Sequence, residues 1–186
     1  IYGDVISKLL EKKGHEVQKE YYVNDAGRQI DILTASVYLR AIEIEDNIFP
    51  ESAYRGEYIK EIAKNANLQD AVNIDDLFKS LPEDDEEKID KIISHLKSAS
   101  EKDWKSIKKV SLESVLSTIE KDLEDFGVTF DNWFLESSLL GADSKIDAAV
   151  QQLNTNNLID NRDGNIWFKS SDFGDDKDRV LIRADG

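Results

Sequence analysis

The chain has 186 residues, in which 39 Asp and Glu stand against 24 Lys and Arg for a net charge of −15, with 40% hydrophobic and 9% aromatic residues. This is too apolar and aromatic for a disordered acidic chain, so it predicts one folded domain, or one interrupted by a smaller insertion. The charge argues against gripping nucleic acid or an anionic membrane through a basic face of its own; the lack of cysteine removes disulfides, zinc–thiolate sites and thiol nucleophiles; and no apolar run approaches the roughly 18 residues of a membrane span.

There is no methionine either, and Ile1 falls inside a helical pattern, which reads most simply as a piece of a longer protein. That first helix carries Ile1, Val5, Ile6, Leu9 and Leu10 at helical spacing and should stop at Gly14. Val17–Val23 has the β-branched and aromatic content of a strand. Asn24-Asp25 offers side-chain caps for a second helix showing Ile30, Leu33, Val37, Ala41 and Ile44 on one face. Helix, strand and capped helix is the opening of an α/β fold with a parallel sheet.

After Phe49-Pro50 the signals are helical as far as Phe126. Tyr58, Ile59, Ile62, Ala63 and Ala66 mark one helix, and Ile74, Leu77, Phe78 and Leu81 a short one. Pro82 is placed as a first helical residue, followed by the acidic run Glu83–Glu87 and the stripe Ile89, Ile92, Ile93 and Leu96. A long amphipathic helix from Trp104 to Phe126 should stop at Gly127. Val128–Phe130 and Trp133-Phe134 read as strands, and Ile146, Ala149, Val150 and Leu153 as a short helix. Leu158-Ile159 and Ile166–Phe168 flank the hairpin turn Asp163-Gly164, and Val180–Arg183 makes a last strand before the turn signal Ala184-Asp185-Gly186.

Several motifs lead nowhere. Asp172-Phe173-Gly174 lacks every other element of a kinase; Asp175, Asp176 and Asp178 lack the spacing of a calcium loop; His15 and His95 have no metal or triad context. No phosphate-binding glycine loop appears.

The run Glu20-Tyr21-Tyr22-Val23-Asn24-Asp25-Ala26-Gly27-Arg28-Gln29-Ile30 is different. It resembles the segment that follows the HIGH-motif helix of arginyl-tRNA synthetases. Gly3-Asp4-Val5 to Gly14-His15-Glu16-Val17 resembles the end of that helix and the next strand, and Tyr54-Arg55-Gly56-Glu57-Tyr58-Ile59 the family's "Y.GEYI". Phe126–Val128 with Phe130–Ser137 resembles "FGV.FD.WF.ES", and Asp172–Val180 resembles "DFGDDKDRV". The segments keep the family order, and only about Ala66 to Leu112 matches weakly.

The resemblance implies part of a Rossmann-like class I catalytic domain. Residues 1–48 would belong to its core, 49–127 to a mainly helical insertion, and 128–186 to a strand–helix–hairpin return to the core. It implies a cytoplasmic enzyme that activates L-arginine with ATP and Mg2+ and passes it to tRNA(Arg). The HIGH motif would precede Ile1; the KMSKS-type motif, and a Tyr and Asp used for arginine, would follow Gly186. The chain alone would then be inactive and would bind tRNA weakly. Glu136 matches the family glutamate that contacts arginine, where a carboxylate suits the planar guanidinium.

Asn24, Asp25 and Gln29 stand at the carboxyl end of a strand, where ligands bind in such sheets, and could contact the amino acid or position the HIGH segment. Asp25 could equally cap the helix. Gly27 would serve a close backbone approach. Trp133 and Phe134 read as packing residues, Arg28 as a solvated charge, and Lys177 and Arg179 as local ion-pair partners. No covalent catalytic residue and no metal site are expected. A competing reading is an acidic, mostly helical interaction module that docks a basic partner through Glu83–Glu87.

Overall fold

The computed structural model describes residues 1–69, 72, 74–140 and 144–184, so Asp185 and Gly186 of the expected closing turn lie outside the described residues. The chain divides into two compact units, Ile1–Glu136 and Ser137–Gly186.

In the first unit, helix α1 (Tyr2–Lys12) ends where the glycine predicts. Gly14 takes φ +86, its N–H donates to Glu11 O at 2.9 Å, and His15 N donates to Leu10 O at 3.1 Å, the paired bonds of a Schellman stop. The apolar stripe of α1 meets no core: Tyr2, Val5, Leu9 and Leu10 are all exposed, and no residue of the helix is buried.

Strand β1 (Glu20–Val23) is shorter than the run suggests. It pairs in parallel with β2 (Asn132–Leu135), from Glu20↔Asn132 to Val23↔Leu135. Val128–Phe130 is not a strand. Gly127, at φ +77, ends the preceding helix, and Val128 N is drawn back to Leu123 O at 2.8 Å, so the chain cannot yet lie alongside β1. The two segments first meet at Lys19 and Asp131, where Asp131 N donates to Lys19 O (2.8 Å) and Lys19 N donates to Asp131 Oδ2 (2.7 Å).

A parallel pair needs a long crossover. Here it consists of α2 (Arg28–Ala41), α3 (Glu57–Lys64), α4 (Asp75–Lys79), α5 (Asp85–Ala99) and α6 (Glu101–Asp125). The expected N-cap of α2 is corrected: the cap position is neither Asn24 nor Asp25 but Gly27, at φ +81 and ψ −174.

α2 also departs from the one-faced pattern. Ile30 and every residue from Ile32 to Leu39 are buried, because α3, α5 and α6 pack around it. Ile59 and Ile62 of α3, Ile89, Ile92 and Leu96 of α5, and Trp104 and Ile107 of α6 complete this core. Each such side chain contributes on the order of 1.5–3 kcal/mol through its removal from water. The buried Thr34 and Ser36 hydroxyls of α2 turn back on the helix itself, Thr34 Oγ1 donating to Ile30 O and Ser36 Oγ to Ile32 O, both at 2.7 Å. Ile44 lies past the end of α2, which stops with Glu43 at φ +59 and Ile44 N donating to Leu39 O at 3.0 Å.

Pro82 is not the first residue of α5. Asp84 is its N-cap and accepts from Glu87 N at 2.9 Å, setting the helix start at Asp85. Asp85 and Glu86 of the acidic run are built into the fold as well. The Asp85 carboxylate accepts from the backbone N–H groups of Glu51 (3.1 Å) and Ser52. Arg28, expected as a solvated charge, pairs with Glu86 and with Asp90 (2.9 Å).

In the second unit, α7 (Lys145–Thr155) is capped by Ser144, whose Oγ accepts from Asp147 N at 3.1 Å. The expected hairpin joins β3 (Ile159–Arg162) to β4 (Asn165–Phe168). Asp163 at φ +51 and Gly164 at φ +78 give a turn whose hand matches strand twist. β5 (Arg179–Ile182) adds to β4 antiparallel. Asp172-Phe173 lies in a 3-10 turn that ends at Gly174, φ +94, and Phe173 stacks on Phe168 with centroids 5.7 Å apart. Arg179 pairs with Asp175 (2.6 Å) and Asp176 (2.9 Å), the local pairing expected of it. Among the described residues no helix is long and apolar enough to cross a membrane.

Candidate functional site

Side chains alternate across a strand, and the parallel register therefore sorts the residues of β1 and β2 onto two faces. On one face Tyr21 stacks on Trp133 (centroids 4.5 Å apart, 29° between planes), and Phe130 meets both rings edge-on. On the other, Tyr22 stacks on Phe134 at 5.9 Å and 29°. Trp133 and Phe134 are thus packing residues, as expected.

The register carries one step beyond the ladder. Val23 is opposite Leu135, so the next residues, Asn24 and Glu136, leave the two strands side by side at their carboxyl ends. With its amide nitrogen turned to the acceptors around it, Asn24 donates to Glu136 Oε2 at 2.9 Å and to Ala26 O at 2.7 Å. The Tyr22 ring lies on the same face as Phe134. Desolvation of the Tyr22 hydroxyl, and then the negative charges of Glu136 and Asp25 nearby, push its pKa above the ordinary tyrosine value. The half-buried Glu136 carboxylate is therefore met by an uncharged donor, the Asn24 amide.

The remaining sequence candidates separate. Asp25 is 6% exposed, with its N–H on Val23 O at 3.0 Å. Gln29 is exposed, and its Oε1 accepts from the Tyr54 hydroxyl at 2.6 Å. No neighbouring atom lies within 4 Å of where a Cβ at Gly27 would stand, so the chain itself makes no close approach there; the positive φ is what requires glycine.

Asn24 and Gln29 share a cleft of about 750 Å³ with Tyr54, Tyr58 and Glu61, closed on its far side by Leu112, Val115 and Leu116 of α6. A Cβ at Gly56 would come within 2.6 Å of the ring of Tyr58, one of the lining residues. Sequence reasoning did not single out Tyr22 or Tyr54. Tyr22 could have been found from Asn24 by the two-residue period of a strand, whereas nothing local signals that Tyr54 reaches Gln29. Among the described residues no group of three or more His, Cys, Asp or Glu is placed to hold a metal ion.

A family model described as "tRNA synthetases class I (R), catalytic domain" matches residues 1–186. The chain belongs to this family. It is 40% identical, over its whole length, to proteins named arginine–tRNA ligase from Acinetobacter baylyi and Psychrobacter cryohalolentis, and it spans 35% and 34% of their lengths. A Campylobacter jejuni crystal structure described as that of an arginyl-tRNA synthetase aligns with all of the chain and 36% of its own, with a TM-score of 0.70 and 31% identity. The mixed α/β, Rossmann-like character expected for the chain agrees with this class I synthetase neighbour. The chain therefore covers about a third of the length of these relatives.

Proposed function

We propose that this chain is the middle part of the catalytic domain of an arginine–tRNA ligase, which activates L-arginine with ATP and transfers the arginyl group to tRNA(Arg) for protein synthesis in the cytoplasm. The observation that carries this reading is the Glu136 carboxylate, presented at the carboxyl end of a parallel strand pair and held there by Asn24 at 2.9 Å. Ligands of such sheets bind at that edge, and a carboxylate there suits a planar guanidinium, which it can meet through paired N–H···O bonds.

In this reading Glu136 selects the arginine side chain, and the point charge of lysine leaves that acceptor geometry unused. Asn24 and Gln29 line the adjoining cleft and are placed for the polar groups of the amino acid or of the tRNA end. Gly27 sets the turn that carries Asn24, and Asp25 lies within it, buried. Chemistry of this class proceeds by positioning and electrostatic stabilisation, with no covalent nucleophile required of these residues. ATP supplies the adenylate and Mg2+ accompanies it; residues 1–186 contain neither of the family's ATP signatures, and we place that subsite elsewhere in the protein.

Residues 1–48 would form part of the core, 49–127 the helical insertion, and 128–186 the return to the core. The parallel pairing of β1 with β2 supports an insertion carried as a crossover between neighbouring core strands. The exposed apolar stripe of α1 would pack on the rest of that core. The test is aminoacylation of tRNA(Arg) by the intact protein that contains this chain, with the 186-residue chain alone in parallel. Arginine charging by the intact protein only is expected. An intact protein that charges tRNA with another amino acid, or with none, would contradict the proposal.

A further inference from the structure

We infer that Tyr54 is a positioning residue for Gln29, holding its amide oxygen so that both amide N–H groups are presented to a hydrogen-bond acceptor of the substrate in the cleft beside β1. The inference rests on the reading of this chain as part of an arginine–tRNA ligase that uses this cleft.

Gln29 lies in the first turn of α2, exposed at the cleft wall. An exposed glutamine without a partner turns among its rotamers, and a ligand that needs it in one orientation must immobilise it on binding. Here the Tyr54 hydroxyl, 25 residues along the chain, donates to Gln29 Oε1 at 2.6 Å. Tyr54 is itself fixed from behind. Its backbone N–H donates to Ser36 Oγ at 2.9 Å, and Ser36, fully buried, donates in turn to Ile32 O at 2.7 Å. The residues just before it are tied to α5, where the Asp85 carboxylate accepts from the N–H groups of Glu51 and Ser52. The hydroxyl is therefore anchored to the core of the first unit before any ligand arrives, and Gln29 is anchored to the hydroxyl.

A glutamine amide has one acceptor oxygen and two N–H donors. With the oxygen engaged by Tyr54, the nitrogen keeps both donors, and among the described residues no protein acceptor takes them. Asn24, the other sequence candidate in the cleft, differs: its nitrogen is committed to Glu136 Oε2 and Ala26 O. Among the described residues lining the cleft there is no lysine or arginine, so an acceptor there is met by neutral donors, of which Gln29 presents two on one nitrogen. The substrates of such a ligase bring acceptor oxygens of this kind, on the carboxylate of the amino acid or on the bases and riboses of the tRNA end.

The test is steady-state aminoacylation by the intact protein, with KM measured separately for arginine and for tRNA(Arg). Tyr54→Phe keeps the ring and removes only the hydroxyl. It is expected to raise at least one of the two KM values about fivefold, the effect of one lost hydrogen bond between neutral groups, with kcat changed by no more than about twofold. A rise for arginine places the acceptor on its carboxylate; a rise for tRNA places it on the tRNA end. Gln29→Ala should raise the same KM at least as much, and in that background Tyr54→Phe should add nothing further. Gln29→Glu is a second arm that does not depend on how Tyr54→Phe folds. It keeps an acceptor for the Tyr54 hydroxyl but loses both donors, and it should raise that KM as Gln29→Ala does. Unchanged KM values in Tyr54→Phe while Gln29→Ala is impaired overturn the positioning role. So does an equal effect of Tyr54→Phe in both backgrounds. Wild-type kinetics in Gln29→Ala or Gln29→Glu overturn the use of Gln29 and leave the ligase reading standing. An intact protein that charges no arginine overturns that reading instead.

Discussion

Gly27 joins β1 to α2 with φ +81 and ψ −174, a conformation close to exclusive to glycine, while the space its Cβ would take is open. Gly27→Ala should therefore destabilise the chain by about 1–3 kcal/mol through backbone strain alone, read as a lower urea midpoint with an unchanged slope. Steric crowding would play no part, so Gly27→Ser should cost about the same as Gly27→Ala. Asn24 and Asp25 are the usual cap residue types, and by type alone they read as the helix start; the positive φ of a glycine two or three residues later is what displaces that start. Conversely, Asn24 is legible as a candidate site residue because it ends a strand. Its partner Glu136 lies far along the chain, and no local pattern distinguishes it from a solvated glutamate. Only the resemblance to a family singled it out, and only the parallel register shows how the two meet.

Among the elements, those governed by local rules followed the sequence closely. α1 and α6 end at Gly14 and Gly127 with the same Schellman bonds, and the Asp163-Gly164 hairpin forms as its turn residues require. α2 ends in the same way but without a glycine, placing Glu43 at φ +59. A left-handed non-glycine residue costs roughly 1–2 kcal/mol, partly offset by the extra freedom glycine has when unfolded. Glu43→Gly should thus raise stability by about 0.5–1 kcal/mol in thermal or urea unfolding. No gain, or a loss, would mean that Glu43 makes a compensating contact. The parallel strand pair is the poorly legible part. β1 and β2 are four residues each, and their limits are set by where each finds the other, so Val17–Lys19 and Val128–Phe130 are β-like in composition without lying in the ladder.

At the scale of the molecule, three members of the acidic run Glu83–Glu87 take part in holding the fold. Asp84 caps α5, Asp85 secures the backbone at Glu51 and Ser52, and Glu86 pairs with Arg28. At Glu136 a half-buried carboxylate is met by an uncharged donor, the Asn24 amide. The central claim is that this carboxylate selects arginine. Its most direct test is the arginine dependence of ATP–pyrophosphate exchange by the intact protein, with tRNA present, for wild type and Glu136→Gln. The account predicts a KM for arginine at least about tenfold higher in the variant, as expected when a charge-assisted guanidinium contact is weakened, together with a smaller preference for arginine over lysine. Wild-type KM and unchanged discrimination in a folded Glu136→Gln protein would contradict it.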